Sequence, residues 1–198
     1  MRDFEKIRSQ SLMTECGLRW LETFAQSVTN LDGDVIELGV YRGGSTLLLS
    51  NIFPDKKIHL YDTFEGFPQT SEHDNTDAFS TGGMNETSLE YVRDEVLAGR
   101  DNLVFHKGFF PDTFDLDDSV KFCMAIYDGD LYSGCRDFLR LIYPRMVSGG
   151  IIFIDDYGNN PFFRGATTAT NEFLNENSLV IATIKCLPQE IGVIKKCS

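Results

Sequence analysis

The segment Glu37-Leu38-Gly39-Val40-Tyr41-Arg42, followed by Gly43-Gly44, decides the fold of this chain. The apolar residues 35–38 are typical of a buried strand, and residues 45–51 behind the glycines are typical of a helix. A glycine-rich turn between a strand and a helix lets backbone N–H groups and the positive end of the helix approach a ligand. The segment therefore predicts a strand–turn–helix unit that binds a ligand.

The spacing of these glycines argues against two common phosphate ligands. A dinucleotide-binding turn needs glycine at its first, third and sixth positions, which here are Gly39, Tyr41 and Gly44. A Walker A loop needs lysine at the position where Ser45 stands. Tyr41 therefore disfavours NAD and FAD, while Glu37 at the end of the strand suits a ligand that carries a cationic amine.

Strand-like and helix-like segments alternate along the chain, which indicates an α/β fold with a mainly parallel sheet and helices on both faces. The predicted strands are residues 35–38, 58–61, 103–105, 122–127, 151–154, 179–184 and 191–195. The last two strands have no helix between them, so we expect an antiparallel hairpin around Pro188. The predicted helices are residues 45–53, 86–98, 135–143 and 165–175, with one further helix before Asp34.

We predict one domain over residues 1–198. Residues 1–33 would form its N-terminal helical segment. Residues 69–85 are polar and too long for a simple connection, so they form a candidate lid over the ligand site.

Composition limits the classes of partner. The chain has 198 residues and a formal charge of −12 at pH 7, a field that repels phosphate backbones and disfavours nucleic acid. We expect no membrane span, no anionic membrane surface as a partner and no signal peptide. The five cysteines form no C-x-x-C pair, so the sequence suggests neither a zinc site nor a disulfide framework, and we expect reduced thiols in a cytoplasmic protein.

Acidic residues follow three further predicted strands. In doubly wound sheets, ligands bind at the carboxyl ends of the strands. Asp62 closes the second strand, where an acid can accept hydrogen bonds from ribose hydroxyls, although a turn-capping aspartate is an equal alternative.

Asp128 and the pair Asp155-Asp156 end neighbouring strands, so their carboxylates would repel one another unless protons or a cation compensate. Oxygen ligands suit Mg²⁺ or Mn²⁺. The alternative is that these acids only cap turns, but two acidic strand ends in one sheet favour a metal.

Five blocks of sequence, in order, resemble the macrocin O-methyltransferase family. They are DVIELGVYRGGS from Asp34, YDTFEGFP from Tyr61, KGFFPDTF from Lys107, YDGDLY from Tyr127 and IDDYG from Ile154. The resemblance implies a class I S-adenosylmethionine-dependent enzyme with a Rossmann-like, seven-stranded sheet. It further implies Mg²⁺-dependent methylation of a hydroxyl on a small-molecule acceptor, a sugar or glycoside in natural product biosynthesis. A homo-oligomer is left open.

The resemblance also assigns roles to residues. Glu37 would face the methionine amine, Asp62 would hold the ribose, and Asp130 would be the general base. The metal ligands would be Asp128, Asp155 and Asp156. The cofactor-binding residues would be Glu37, Gly39, Tyr41, Gly43, Ser45, Asp62, Gly108 and Asp128.

The chain departs from the family pattern in two places. Thr167-Thr168 stand where basic residues are usual, and the N-terminal region is short. Both departures concern the identity of the acceptor. Two alternatives remain: a catechol-type O-methyltransferase acting on an aromatic diol, and a cofactor-binding partner without turnover in a biosynthetic complex.

Overall fold

The structure is a computed structural model that describes residues 2–74, 80–158 and 164–197. Its helices are α1 (Arg2–Ser9), α2 (Glu15–Ser27), α3 (Gly44–Ile52), α4 (Leu89–Tyr91, continued by the π-helical residues Val92–Val96), α5 (Tyr132–Ile142, continued by the 3₁₀ turn Tyr143–Arg145) and α6 (Arg164–Asn177). Its strands are β1 (Asp34–Leu38), β2 (Ile58–Asp62), β3 (Leu103–Lys107), β4 (Phe122–Tyr127), β5 (Met146–Ile154), β6 (Ala182–Cys186) and β7 (Gln189–Lys195).

The strands form one sheet in the order β3-β2-β1-β4-β5-β7-β6. Strands β1 to β5 pair in parallel, and β7 pairs antiparallel with both β5 and β6. The predicted seven-stranded, mainly parallel sheet with a C-terminal hairpin is therefore confirmed. The strand order reverses between β1 and β4, and such a switch point is where doubly wound sheets bind ligands.

Both faces of the sheet are covered, because successive residues of a strand point to opposite sides. Val35 of β1 packs with α1 to α4 on one face, and its neighbour Ile36 packs with α5 and α6 on the other. This confirms the predicted helices on both faces. Within the described residues, none of the helices has the length and apolar character needed to cross a bilayer.

The N-terminal segment differs from the prediction. The sequence suggested one helix before Asp34, but α1 and α2 are separate because Thr14 begins a new helix. Its side chain accepts a hydrogen bond from the N–H of Gly17 at 3.1 Å, which caps α2. Residues 10–13, between the two helices, are therefore not helical.

Cys16 and Cys186 form a disulfide, so the expectation of reduced thiols is wrong for this pair. The two residues are 170 positions apart in sequence, and only the packing of the start of α2 against the end of β6 brings them together. Spacing between cysteines carries no signal for such a pairing. The cysteines thus give no support to the predicted cytoplasmic location. Cys123, Cys135 and Cys197 are free thiols.

Candidate active site

A cavity of about 310 Å³ lies at the carboxyl ends of β1, β2, β4 and β5. Of the residues that the sequence singled out, nine line this cavity: Gly39, Tyr41, Ser45, Asp62, Gly108, Asp128, Asp130, Asp155 and Asp156. Glu37 and Gly43 do not line it. The structure therefore brings most of the predicted site residues together at the switch point of the sheet.

The glycines of the β1–α3 turn are explained by contacts within the chain. Gly39 has φ +94°, and a Cβ on it would collide with the backbone carbonyl of Asp128. Gly43 has φ +82°, and a Cβ on it would lie 3.0 Å from the side chain of Val92. Gly39 thus lets the ends of β1 and β4 meet, whereas Gly43 faces the apolar core and not the cavity.

Asp62 organises the same turn. Its Oδ2 accepts hydrogen bonds from the backbone N–H groups of Val40 at 2.7 Å and Tyr41 at 2.9 Å, and its Oδ1 accepts from Phe64 at 2.7 Å. Tyr41 takes the left-handed φ of 50° as the chain wraps around this carboxylate. Turn capping is therefore present. A carboxylate has about four acceptor positions, so one is left for a ligand hydroxyl.

Glu37 lies beneath the turn and is fully buried. Its Oε2 accepts a hydrogen bond from Thr46 Oγ1 at 2.5 Å, whereas its Oε1 has no partner among the described residues. Burial raises the pKa of Glu37 to about 7, against the opposing effect of hydrogen bonds from Ser45 and Thr46. Ser45 and Asp62, whose groups shift the pKa of Glu37, line the cavity, whereas Glu37 itself does not.

Four carboxyl groups cluster at the ends of β4 and β5. Asp128, Asp130 and Asp156 each place an oxygen within 4.8 Å of the others. Asp155 is the fourth member, and its Oδ2 accepts a hydrogen bond from Gln189 Nε2 at 3.2 Å. Among the described residues, Asp155 Oδ1 and Asp156 Oδ1 are buried without a hydrogen-bond partner. We call these four residues the acid cluster.

The acid cluster is electrostatically uncompensated by the described protein groups. Burial, followed by repulsion from neighbouring carboxylates, raises the pKa values of Asp128, Asp130 and Asp155 well above the usual range. Burial also raises the pKa of Asp156 to about 6. An all-oxygen donor set with unpaired oxygens fits a hard divalent cation such as Mg²⁺ or Mn²⁺. Asp130, which the sequence suggested as a base, lies among the candidate ligands.

The backbone at the acid cluster is also unusual. Asp130 has φ 59° and Asp156 has φ 56°, both in the left-handed region that side-chain-bearing residues seldom adopt. Such conformations cost on the order of 1 kcal/mol each and concentrate at functional sites. The chain therefore tolerates both repulsion and backbone strain at this one place.

Sequence reasoning missed several parts of the cavity wall. They are residues 10–13, Phe67, Pro68, Thr87 and Gln189. Residues 10–13 precede the sheet in sequence, and Gln189 lies in the C-terminal hairpin. No local pattern marks either for a site built at the ends of β1 and β4. A glutamine or a leucine has no motif of its own.

The candidate lid is described only in part, because residues 75–79 lie outside the described residues. Of residues 69–74 and 80–85, Met84 lines the cavity. Asp74 is buried, and its Oδ1 accepts a hydrogen bond from the N–H of Tyr132, the first residue of α5, at 2.7 Å. The loop is thus fastened to the helix that follows Asp130. Its role as a lid stays a prediction.

Comparison with known proteins gives the family. Residues 9–186 match the model of the macrocin O-methyltransferase (TylF) family. The chain belongs to this family. The resemblance carried by the five sequence blocks is thereby confirmed.

Curated relatives of the chain act on natural products, as their names state. The chain is 30% identical over 169 residues to demethyldecarbamoylnovobiocin O-methyltransferase of Streptomyces niveus, covering 73% of this chain and 62% of the relative. It is 32% identical over 140 residues to mycinamicin III 3''-O-methyltransferase of Micromonospora griseorubida, covering 63% of this chain and 55% of the relative. The chain thus spans less than two thirds of the length of these relatives.

Solved structures show the same fold. The O-methyltransferase NovP has a TM-score of 0.76 at 24% identity, with 95% of this chain and 84% of that chain covered. The calicheamicin methyltransferase CalS11 has a TM-score of 0.77 at 19% identity, with 94% and 80% covered. At these identities the likeness concerns the class I O-methyltransferase fold alone.

Proposed function

We propose that this protein is an S-adenosylmethionine-dependent, Mg²⁺-assisted O-methyltransferase that methylates a hydroxyl on a sugar of a natural product. The observation that carries the proposal is the acid cluster, whose residues line the cavity at the switch point of the sheet and include buried carboxylate oxygens that no described group satisfies. Membership of the macrocin O-methyltransferase family and the names of the curated relatives support the chemistry and the class of acceptor.

The cofactor would bind at the end of the cavity formed by Gly39, Tyr41, Ser45, Asp62 and Gly108. S-Adenosylmethionine carries a sulfonium and an ammonium group, and a cavity rich in carboxylates favours both charges. Asp62 would accept from the ribose hydroxyls with its remaining lone pair. Glu37 would act through Ser45, and Gly43 would support the turn from the core side.

Asp128, Asp155 and Asp156 would hold the cation: Asp128 and Asp156 have oxygens within 4.8 Å of each other, and Asp155 and Asp156 offer buried oxygens that no described group satisfies. Asp130, whose oxygen lies within 4.8 Å of those of Asp128 and Asp156, would border the same ion. When bound, Mg²⁺ would lower the pKa of the acceptor hydroxyl and S-adenosylmethionine would supply the methyl group. Asp130 would then take the hydroxyl proton on a carboxylate oxygen. Burial raises the pKa of Asp130, which suits a group that must accept and keep a proton.

Apolar side chains form the rest of the cavity wall. Among the residues that line it are Leu12, Met13, Phe67 and Phe110. Their contacts would exclude water from the transferred methyl and receive the apolar part of the acceptor. A cavity with an acidic end and an apolar wall fits a sugar attached to an apolar skeleton.

The test is release of S-adenosylhomocysteine from S-adenosylmethionine with a panel of glycosides and catechols, with and without Mg²⁺. We expect Mg²⁺-dependent release with glycosides. Release with catechols alone would assign the acceptor to the other class. Calorimetry showing tight binding of NAD and none of S-adenosylmethionine or S-adenosylhomocysteine would reject the proposed cofactor.

A further inference from the structure

Residues 10–13 form a wall of the cavity although they belong to neither a helix nor a strand. Contacts at both ends hold this wall in place. At one end the N–H of Gly44 donates to the carbonyl of Gln10 at 3.2 Å. At the other end the N–H of Thr14 donates to Gln189 Oε1 at 2.9 Å, and Cys16 is bonded to Cys186. Both attachments of the second end lead to the β6–β7 hairpin.

Gln189 is the residue that joins this wall to the acid cluster. While its Oε1 accepts from Thr14, its Nε2 donates to Asp155 Oδ2 at 3.2 Å. Gln189 itself lines the cavity and pairs with Cys186 across the hairpin. A single side chain therefore touches the N-terminal wall and a proposed metal ligand.

The chemistry of the amide explains why glutamine suits this position. A backbone N–H needs an acceptor, and a carboxylate needs a donor. Among side chains of this length, only an amide offers both. A leucine of similar volume would leave the Thr14 N–H and Asp155 Oδ2 without these partners. The two hydrogen bonds thus fix the orientation of the Asp155 carboxylate relative to the wall.

We propose that Gln189 is a positioning residue and that, together with the Cys16–Cys186 disulfide, it forms a latch that holds residues 10–13 against the cavity and orients Asp155. The identity of the ligands whose binding the latch supports rests on the proposed function. The hydrogen bonds between Gln189, Thr14 and Asp155 do not depend on it. The latch couples the affinity of the site to the thiol–disulfide state of one cysteine pair.

The disulfide is open to reduction from the Cys16 side. Cys16 is exposed, whereas Cys186 is buried. A dithiol such as dithiothreitol would break the S–S bond by thiol–disulfide exchange. The two sulfurs of dithiothreitol form a cyclic disulfide. The electron pair and the two protons that dithiothreitol gives up convert Cys16 and Cys186 to thiols. Reduction would release the covalent half of the latch and leave the Gln189 hydrogen bonds as the remaining attachment.

The experiment measures dissociation constants of Mg²⁺ and S-adenosylhomocysteine by calorimetry, at a temperature where every protein is folded. The variants are Gln189→Leu and the double variant Cys16→Ser with Cys186→Ser. Gln26→Leu, an exposed glutamine of α2, is the matched control. We expect Gln189→Leu to weaken Mg²⁺ binding about 10-fold, as loss of a residue that orients a metal ligand does, and to weaken S-adenosylhomocysteine binding as well. Gln26→Leu should bind both like the parent.

Reduction gives a second, independent arm. Dithiothreitol should weaken S-adenosylhomocysteine binding by the parent and leave the double serine variant unchanged, because that variant already binds like the reduced parent. Amide hydrogen exchange without ligand should show faster exchange at residues 11–16 in Gln189→Leu and in the reduced parent. This arm stands even if Gln189→Leu folds poorly.

The outcomes separate the latch from the proposed function. Variants that unfold at lower temperature but keep the parental dissociation constants and exchange rates would show that these groups only stabilise the fold, which overturns the latch. A parent that binds neither Mg²⁺ nor S-adenosylhomocysteine would reject the proposed function. In that case, amide exchange at residues 11–16 tests the latch separately. Exchange in Gln189→Leu and in the reduced parent that equals that of the parent would reject the latch, and faster exchange would support it.

Discussion

The β1–α3 turn and the acid cluster border the same cavity but differ in how their polar groups are satisfied. In the turn, the carboxylate of Asp62 receives three backbone N–H groups. In the acid cluster, buried oxygens of Asp155 and Asp156 have no partner within the described residues. Backbone N–H groups of the chain thus satisfy the carboxylate of the turn. The buried oxygens of the cluster need a cation or a hydrogen-bond donor from outside the described residues. The stronger evidence for a ligand therefore comes from the cluster, although the turn carries the more familiar motif.

The largest effect on ligand binding is expected from Asp156→Asn, which removes one charge of the cluster. Asparagine is well tolerated at left-handed φ, so the backbone at 56° should be kept. A neutral amide is a poor ligand for a hard cation, and we expect Mg²⁺ affinity to fall about 100-fold. Without Mg²⁺, the variant should be about 1 kcal/mol more stable than the parent, because one repelling carboxylate is gone.

Calorimetric titration with Mg²⁺ and thermal unfolding without it measure these two effects. Asp55→Asn, at an exposed position, is the control and should change neither. Parental Mg²⁺ affinity in Asp156→Asn would mean that the cluster is structural. It would also erase the difference between the cluster and the turn.

In the turn, Gly39→Ala should act through the fold. A Cβ at Gly39 would collide with the backbone of Asp128, and φ is +94°. We expect a loss of about 3 kcal/mol or more of unfolding free energy. Gly99→Ala is the matched control, since φ is +76° there but nothing lies within 4 Å of the added Cβ. It should cost only about 1–2 kcal/mol.

Denaturant unfolding of both variants separates the backbone contact from the glycine conformation. Equal losses would show that only the left-handed conformation matters, and that the approach of β1 to β4 is loose. A stable Gly39→Ala protein that no longer binds S-adenosylhomocysteine would restore the ligand-contact interpretation of this glycine.

Much of the fold could be predicted because it depends on local patterns. Buried strands such as 122–127 are continuous apolar runs, and alternation with helices indicates a parallel sheet. The acids Asp128, Asp130, Asp155 and Asp156 could be placed together because they end neighbouring parallel strands. The rule that ligands bind at the carboxyl ends of parallel strands thus brought together residues that are distant in sequence.

The rest could not be predicted because it depends on packing between distant segments. The sequence suggested that Gly43 contacts the ligand, but a Cβ on Gly43 would point at the side chains of Val92 and Leu97. The wall at residues 10–13 and its partner Gln189 meet only once α2 has packed against the β6–β7 hairpin. The Cys16–Cys186 disulfide has the same origin. Local sequence identifies an element, but it does not identify the face that a distant element will cover.

Glu37 shares one feature with each of the two regions. It lies beneath the β1–α3 turn, and its Oε1, like the Oδ1 atoms of Asp155 and Asp156, has no hydrogen-bond partner among the described residues. Burial raises its pKa to about 7 in the folded protein, from 4.5. The folded state therefore binds the proton more tightly than the unfolded state. The corresponding stability is fully present below pH 4.5 and is lost as the pH rises towards 7, by at most about 1.4 kcal/mol per pH unit.

Glu37→Gln should remove this loss, so the variant gains stability relative to the parent between pH 5 and pH 8. Denaturant unfolding at both values measures the change in the difference between the two proteins. The pH dependence of stability that arises from the acid cluster is common to both proteins and therefore cancels in this difference. A difference that does not change with pH would mean that Glu37 stays charged and is compensated, which would place it with the satisfied groups of the turn.

The smallest effect is expected from Asp74→Asn, a buried carboxylate that sharpens the comparison because it is fully partnered. Its Oδ1 accepts from the Tyr132 N–H, and its Oδ2 accepts from both the N–H and the hydroxyl of Ser71 at 2.7 Å. An amide can keep the cap on α5, but its NH₂ group would face donors at Ser71. We expect a loss of about 1–2 kcal/mol in unfolding free energy and unchanged Mg²⁺ affinity. If burial of a carboxylate alone governed the site, Asp74→Asn would stabilise the protein as Asp156→Asn does. Chemical denaturation of the two variants side by side decides whether the missing partner, rather than burial, marks a ligand-binding acid.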